Sequence, residues 1–263
     1  MMRTLSIAAT GMQGQQLNVE VISNNLANIN TTSFKRQRAE FQDLLYQNQQ
    51  RMGASSSNTD TIIPTGIQIG LGVTTGSVYR IHEQGQLVET SNSFDLALGG
   101  SGFFMVDLPT GETAYTRAGS FQLNGDGLLV TTDGYTVQPG ITIPIDATDI
   151  TINENGEVIV TINNEAATQN LGQLDIAQFV NAAGLEAIGS NLLLETTASG
   201  VPTVGVANEE GVGNLIQGFL ETSNVDPVRE ITSLITAQRG YELSSKVIQA
   251  ADEMMQTANQ AKR

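Results

Sequence analysis

Leu5-Ser6-Ile7-Ala8-Ala9-Thr10-Gly11-Met12-Gln13-Gly14-Gln15-Gln16-Leu17-Asn18-Val19-Glu20-Val21-Ile22-Ser23-Asn24-Asn25-Leu26 opens the chain with apolar residues at a fixed interval. Leu5, Met12, Val19 and Leu26 recur every seven residues, with Ala8 and Ile22 between them. That is the spacing of a helix packed along a narrow seam. The far end of the chain answers it: Leu234, Tyr241, Ile248 and Met255 form a second column of the same period. Between Thr4 and Phe34 the only charged residue is Glu20. A helix facing water ordinarily carries ion pairs on its outer face. One that carries Gln13, Gln16, Asn24 and Asn25 instead suits a surface lying against something polar and crowded. An ordinary packing of the two chain ends fits the pattern as well.

The first helix is expected from about Thr4 to about Asn28. Gly11 and Gly14 lie inside it, each costing roughly 1 kcal/mol against Ala, so alone in water it is marginal. Asp226 as N-cap and Pro227 at the first helical position open a last helix, with Glu230 near its positive end and a run to about Gln256. After the first helix, Lys35, Arg36 and Arg38 form a short basic cluster, expected on the solvated surface.

Between the ends the period becomes two. Ile67, Ile69, Leu71 and Val73 alternate with Gln68, Gly70 and Gly72, and Phe103-Phe104-Met105-Val106, Leu128-Leu129-Val130 and the Ile150, Ile152, Val158, Val160 set continue the strand pattern. Asn124-Gly125, Asp133-Gly134 and Asn155-Gly156 fall beside these runs, and Asn, Asp and Gly accept the positive φ of a tight hairpin. Leu171–Phe179 and Asn191–Glu195 read as further strands, and 196–214 as a long surface connection. The fold class is therefore α+β: terminal helices paired in a coiled-coil-like seam, with a central all-β domain of short antiparallel strands. The expected division is 1–34 for the N-terminal helix, 35–65 for a linker, 66–222 for the β-rich domain and 223–263 for the C-terminal helix. Within the linker Gln47 to Thr61 is polar throughout, apart from Met52 and Ala54, and cannot pack on itself. A surface loop is one reading, but so long a loop without periodicity is uncommon unless it has a task.

Composition narrows the function classes. The chain has 263 residues, a formal net charge of −15, no Cys and an aromatic fraction of 5%. From Ala118 to Val228 there is no Lys or Arg. Such a field repels phosphate backbones, so nucleic acid is not an expected partner. No apolar run approaches the roughly 20 residues of a membrane span, and Arg3 with its short apolar patch is too weak for a secretory signal.

Catalytic patterns are missing as well. The single His, His82, has no second His or Cys for a metal site, and no Ser lies in a nucleophile elbow. Gly70-Leu71-Gly72-Val73-Thr74-Thr75-Gly76 misses the dinucleotide spacing, Gly99-Gly100-Ser101-Gly102 lacks the Lys of a phosphate loop, and Asn153-Glu154-Asn155-Gly156 lacks the closing Glu of a calcium loop. Paired carboxylates for glycoside hydrolysis can arise in any acidic β domain, but the few aromatics speak against a sugar cleft. No catalytic residue, cofactor or metal is expected.

Ser23-Asn24-Asn25-Leu26-Ala27-Asn28 with Thr32-Ser33-Phe34-Lys35-Arg36 resembles the N-terminal signature of the bacterial flagellar axial proteins of rod and hook. Glu221-Thr222-Ser223-Asn224-Val225, with Gln238-Arg239-Gly240-Tyr241-Glu242, resembles their C-terminal signature. Asp95 to Phe104 and Tyr115-Thr116-Arg117-Ala118-Gly119-Ser120-Phe121 are similar to the β domain of the same family, and the chain sits closest to its distal-rod members. The resemblance implies a non-enzymatic subunit that leaves the cell through the type III export apparatus and polymerises helically into a rigid hollow shaft in the periplasm. Its implied partners are further copies of itself, proximal rod and hook proteins at the two ends, and the surrounding P- and L-ring proteins. It also implies an inner tube built by the helices, with Leu5, Met12, Val19, Ile22, Leu26, Leu234, Tyr241, Ile248 and Met255 as the assembly interface. Gln13, Gln16, Asn24 and Asn25 become candidates for the channel lining. Gln47, Gln49, Arg51, Ser55, Asn58 and Thr61 mark a stretch that stiffens the rod. A proximal-rod or hook subunit is the alternative within the family, and a secreted acidic β-domain enzyme or adhesin the alternative outside it.

Overall fold

The structure, a computed structural model, describes residues 2–50, 65–162, 168–209 and 211–260. The chain forms two compact units, one of Met1–Leu26, Gln37–Tyr79 and Pro227–Arg263, the other of Ala27–Arg36 and Arg80–Asp226.

In the first unit α1 (Met2–Ala27) and α2 (Pro227–Gln260) pack antiparallel. One register accounts for their contacts: Gly11 lies against Ser244, Gln15 against Gly240, and Asn25 against Glu230. Four strands complete the unit: β1 (Gln37–Asp43), β2 (Tyr46–Gln50), β3 (Ile67–Gly70) and β4 (Val73–Arg80), paired β1 with β4 and β2 with β3. The helix glycines are points of close approach rather than weak spots. A Cβ on Gly14 would stand 3.4 Å from the Phe41 ring and 3.6 Å from Val73, and one on Gly11 3.5 Å from the Ser244 hydroxyl.

The seven-residue columns do not form the centre of the seam. Leu5, Met12, Val19, Leu26, Leu234, Ile248 and Met255 are half-buried, and Tyr241 is 44% exposed. Among the described residues the buried positions are Ala8, Gly14, Val21, Ile22 and Asn25 on α1, and Glu230, Ala237 and Ala251 on α2. Small side chains at the contact let the axes approach, so the large ones flank the seam instead of filling it.

Apart from a 3-10 turn at Ala182–Gly184, the second unit is built of strands: β5 (Leu87–Glu89), β6 (Leu96–Gly99), β7 (Phe103–Asp107), β8 (Thr113–Thr116), β9 (Phe121–Leu123), β10 (Leu129–Thr131), β11 (Thr136–Val137), β12 (Ala147–Ile152), β13 (Glu157–Ile162), β14 (Thr168–Gln173), β15 (Asp175–Gln178), β16 (Glu186–Gly189), β17 (Leu192–Leu194), β18 (Thr203–Val206), β19 (Asn214–Gln217) and β20 (Phe219–Glu221). The main sheet runs β16-β17-β8-β7-β11-β10-β9, with β15 bridging β7 and β18. A three-stranded sheet β12-β13-β14 and the pairs β19-β6 and β20-β5 lie beside it. The hairpin cues act as expected. Asn124 joins β9 to β10, its side-chain oxygen accepting from the amides of Asp126 and Leu128, both at 2.9 Å. The core gathers Leu96, Leu98, Phe121, Val158, Ile176 and Leu215 around Phe104, whose ring meets Phe121 edge-on at 5.1 Å.

Three expectations about the strands and the division of the chain differ from the structure. The run Leu171–Phe179 divides into β14 and β15, and the 196–214 connection carries β18 and the first residue of β19. The chain also does not divide at Gly66. The segment Gln37–Tyr79 belongs with the helices, because β2 reaches forward across the linker to pair with β3. Gln47 to Gln50 are therefore strand rather than linker, and 51–61 lie outside the described residues.

Candidate assembly site

Two networks of buried polar groups stand out, one in each unit. In the first, Asn25 is 1% exposed near the end of α1. Its side-chain oxygen accepts from the Gln37 amide at 2.8 Å, and its nitrogen donates to the Gln37 carbonyl at 2.9 Å and to a Glu230 carboxylate oxygen at 3.2 Å. The side chain thus continues the pairing of β1 and ties it to the first turn of α2. Asn25 faces inward with its amide fully used, so it is not a channel-lining residue. Gln13, Gln16 and Asn24 are exposed, with Gln16 donating to Glu20 at 3.1 Å.

In the second unit Glu221 is 1% exposed, between Lys35 at 2.6 Å and Arg117 at 2.8 Å, themselves 6% and 8% exposed. The expected solvated basic cluster is corrected here: Lys35 is an interior residue. The Gly85 amide donates a third hydrogen bond to Glu221 at 2.7 Å. Arg117 also donates to the carbonyls of Leu98, Gly100 and Gly102, and Lys35 to that of Glu83. Burial pushes the Glu221 carboxyl up, but Arg117 and Lys35 outweigh it and hold the group below its ordinary value. Burial lowers Lys35, with Glu221 opposing. Asn224 completes the network by accepting from the Arg36 amide at 2.7 Å and donating to the Ile81 carbonyl at 2.9 Å.

Three stretches far apart in sequence therefore converge on one carboxylate: Ser33-Phe34-Lys35, Tyr115-Thr116-Arg117 and Glu221-Thr222-Ser223-Asn224-Val225. Of the signature residues, Asn25, Ser33, Lys35, Glu221 and Val225 are buried, Leu26, Asn28, Phe34, Ser223 and Asn224 half-buried, and Asn24 and Ala27 exposed. Lys35, Arg117 and Glu221 lie in the stretches that carry the family resemblance but were not singled out there as site residues; the signal was one charged side chain within each of these three stretches. All four cations of this unit, Lys35, Arg36, Arg80 and Arg117, belong to the triad or to the segments flanking it.

His82 stands beside this cluster, its ring edge-on to Phe103 at 5.6 Å and its Nδ1 buried without a hydrogen-bond partner. Burial, then the charges of Lys35, Arg80 and Arg117, press its pKa down to about 4. Among the described residues no group of acidic, His or Cys side chains is placed to hold a metal ion. Of the stiffening residues, Gln47 and Gln49 are exposed on β2, while Arg51, Ser55, Asn58 and Thr61 lie outside the described residues. No helix among the described residues is long and apolar enough to cross a membrane.

On α2 a second, outward set of apolar side chains remains, Val228 at 72%, Ile231 at 45% and Ile235 at 46% exposed. Among the described residues α1 has no large apolar side chain so exposed. An apolar groove of about 460 Å3 lies near the other end of the pair, between Thr4, Ile7 and Gly11 of α1, Gly72, and Leu243 and Val247 of α2.

Comparison with known proteins matches three family models: "Flagella basal body rod protein" over residues 5–35, "Flagellar hook protein FlgE/F/G D1 domain" over 97–160 and "Flagellar basal body rod FlgEFG protein C-terminal" over 216–261. Among curated relatives, the flagellar basal-body rod protein FlgG of Caulobacter vibrioides is 58% identical, covering 98% of this chain and 99% of the relative. That of Agrobacterium fabrum is 55% identical over 96% and 97%, and that of Borreliella burgdorferi 47% over the whole of both chains.

Removing one partner of a buried ion pair strands the other charges, at about 3–5 kcal/mol. Glu221→Gln is therefore expected to lower the thermal midpoint of the second unit by about 10 °C. Melting of the full chain followed by circular dichroism checks it, and a change of a degree or two would mean the triad is not holding these segments. His82 adds a pH dependence. Its folded pKa of about 4 lies below its unfolded value of 6.5, so the unfolded chain takes the proton first. This stabilisation is complete above about pH 6.5 and is lost as pH falls towards 4, by about 3 kcal/mol. Urea midpoints across that range should fall less steeply in His82→Gln, and parallel curves would count against the assignment.

Proposed function

The chain belongs to the family of the flagellar basal-body rod protein FlgG and is a structural subunit of the distal rod, and from that premise we propose how its copies assemble. They polymerise helically into a rigid hollow shaft that carries torque and encloses the export channel. The proposed partners are proximal rod and hook proteins at the two ends, the P- and L-ring proteins around the shaft in the periplasm, and the type III export apparatus that delivers the subunits. The role is structural rather than catalytic.

The observation that carries the mode of assembly is the outward apolar stripe of α2. Val228, Ile231 and Ile235 recur at steps of three and four on the face turned away from α1. Exposed apolar side chains in a row mark a contact surface. The groove at Ile7, Gly11 and Val247 lies elsewhere on the same helix pair, so stripe and groove are different surfaces. Contact between two different surfaces is heterologous, and when its rotation does not close it generates a filament. The columns Leu5, Met12, Val19, Leu26, Leu234, Ile248 and Met255, with Ile22 and Tyr241, support this stripe by holding α1 against α2. Gln13, Gln16 and Asn24 are proposed to line the channel, where fixed charges would retain passing chains.

Gln47 to Thr61 is proposed to stiffen the shaft rather than to form it. Ordering such a stretch costs about 1–2 kcal/mol per residue in backbone entropy, which contacts with neighbouring subunits would offset. Gln47, Asn48 and Gln50 already pair with β3, so the test deletes only 51–61.

Concentrated full-length protein should form straight tubes in electron micrographs. Ile235→Asp is expected to abolish them while the second unit melts normally, because a charge at a buried contact costs several kcal/mol. Normal tubes from that variant would discard the stripe. Deleting 51–61 across a short Gly/Ser linker should still give polymer, but curved. Straight tubes from the deletion would make the stretch a passive loop.

A further inference from the structure

We infer that the buried Asn25–Glu230 pair makes α2 choose α1 rather than the α2 of another copy, and fixes the register in which it does so. The inner face of α2 has a zipper pattern, with Leu234, Ala237, Ser244, Ile248, Ala251 and Met255 in steps of three, four and seven. Such a stripe pairs readily with a copy of itself. The α1 face is the poorer apolar partner, since Gly11 and Gln15 occupy its centre where Ser244 and Gly240 meet it. Apolar burial alone therefore does not decide the pairing in favour of α1, and copies packed side by side would offer each α2 many others.

Glu230 decides it. At 9% exposed it lies in the same stripe, one turn before Leu234. Two α2 helices joined in parallel would place two carboxylates against each other inside the seam, where like charges without donors are strongly disfavoured. α1 brings a donor instead, the Asn25 amide. The orientation of the Asn25 amide is preset, because its oxygen accepts from the Gln37 amide and its nitrogen is left facing the carboxylate. A slip of one helical turn would withdraw that donor and leave Glu230 buried without it. A single polar pair that selects partner and register at some cost in stability is the best-attested use of buried polar groups. The inference stands whether or not copies polymerise through the outward stripe, because it concerns the inner face.

The chain has no Cys, so thiols can be placed at will. In the full-length protein Tyr241→Cys, on the rim of the seam, forms a symmetric disulfide only when two α2 helices lie side by side. Under mild oxidation at fixed low concentration, adding Glu230→Leu is expected to raise the disulfide dimer about tenfold. A separate Gly11→Cys/Ser244→Cys chain reports α1–α2 pairing by its intramolecular disulfide, which Glu230→Leu should deplete. Asn25→Asp separates selection from mere loosening. It should also deplete the intramolecular disulfide, yet leave the Tyr241→Cys dimer low because Glu230 still repels Glu230. Unchanged dimer in Glu230→Leu with the second unit folded, or equal dimer in Glu230→Leu and Asn25→Asp, would overturn the inference.

Discussion

A carboxylate taken out of water must be met by positive charge and hydrogen-bond donors, and Glu221 imposes that condition on the whole second unit. The chain brings Lys35 from one end of the unit and Arg117 from its middle to the same point, and positions the Gly85 amide as a third donor. Gly85 itself has no alternative residue, since a Cβ there would stand 2.1 Å from the Thr222 carbonyl. Gly100 and Gly102, both at positive φ, turn their carbonyls to Arg117. The segments that meet here, 33–36, 81–86 and 221–224, are those through which the chain enters and leaves the unit. Fixing their mutual geometry is what a subunit needs if force applied through its ends is to reach its body undiminished.

The first unit follows the opposite principle. It has little interior: its buried side chains are mostly Ala, Val and Ile, and its helices meet over Gly11 and Gly240. Small residues let the backbones approach but give little apolar burial per residue. The helices thus hold each other modestly and leave one side of α2 apolar and open. A subunit whose contacts with itself were stronger would have less to gain from its neighbours.

Much of this was legible in the sequence, because the period of apolar residues reports secondary structure directly. The two helices, the hairpins at Asn124 and Asn155 and the α+β class follow from periods of seven and two and from turn chemistry. The centre of the seam was not legible. Seven-residue columns of large side chains draw the eye, whereas Ala237 and Ala251, which the contact actually buries, carry no signal in composition. Lys35 was misread for a related reason, since a Lys beside two Arg looks like surface until its partner, almost 190 positions away, is known. The division near Gly66 failed because β2 and β3 pair across a stretch whose composition gives no hint of the return.

Of the second unit's four cations, Lys35 and Arg117 meet Glu221 and Arg36 and Arg80 lie in the segments flanking it, which leaves the rest of that unit with carboxylates alone. Such a body is a one-signed colloid with its counter-charge gathered at one place. Bodies of this kind repel at a range set by the Debye length, about 8 Å at physiological ionic strength and about 3 Å in molar salt. In the assembly proposed above, with subunits side by side through their helices, that repulsion would act as a soft spacer between the acidic bodies, its reach shortening with every ion added to the solution around them.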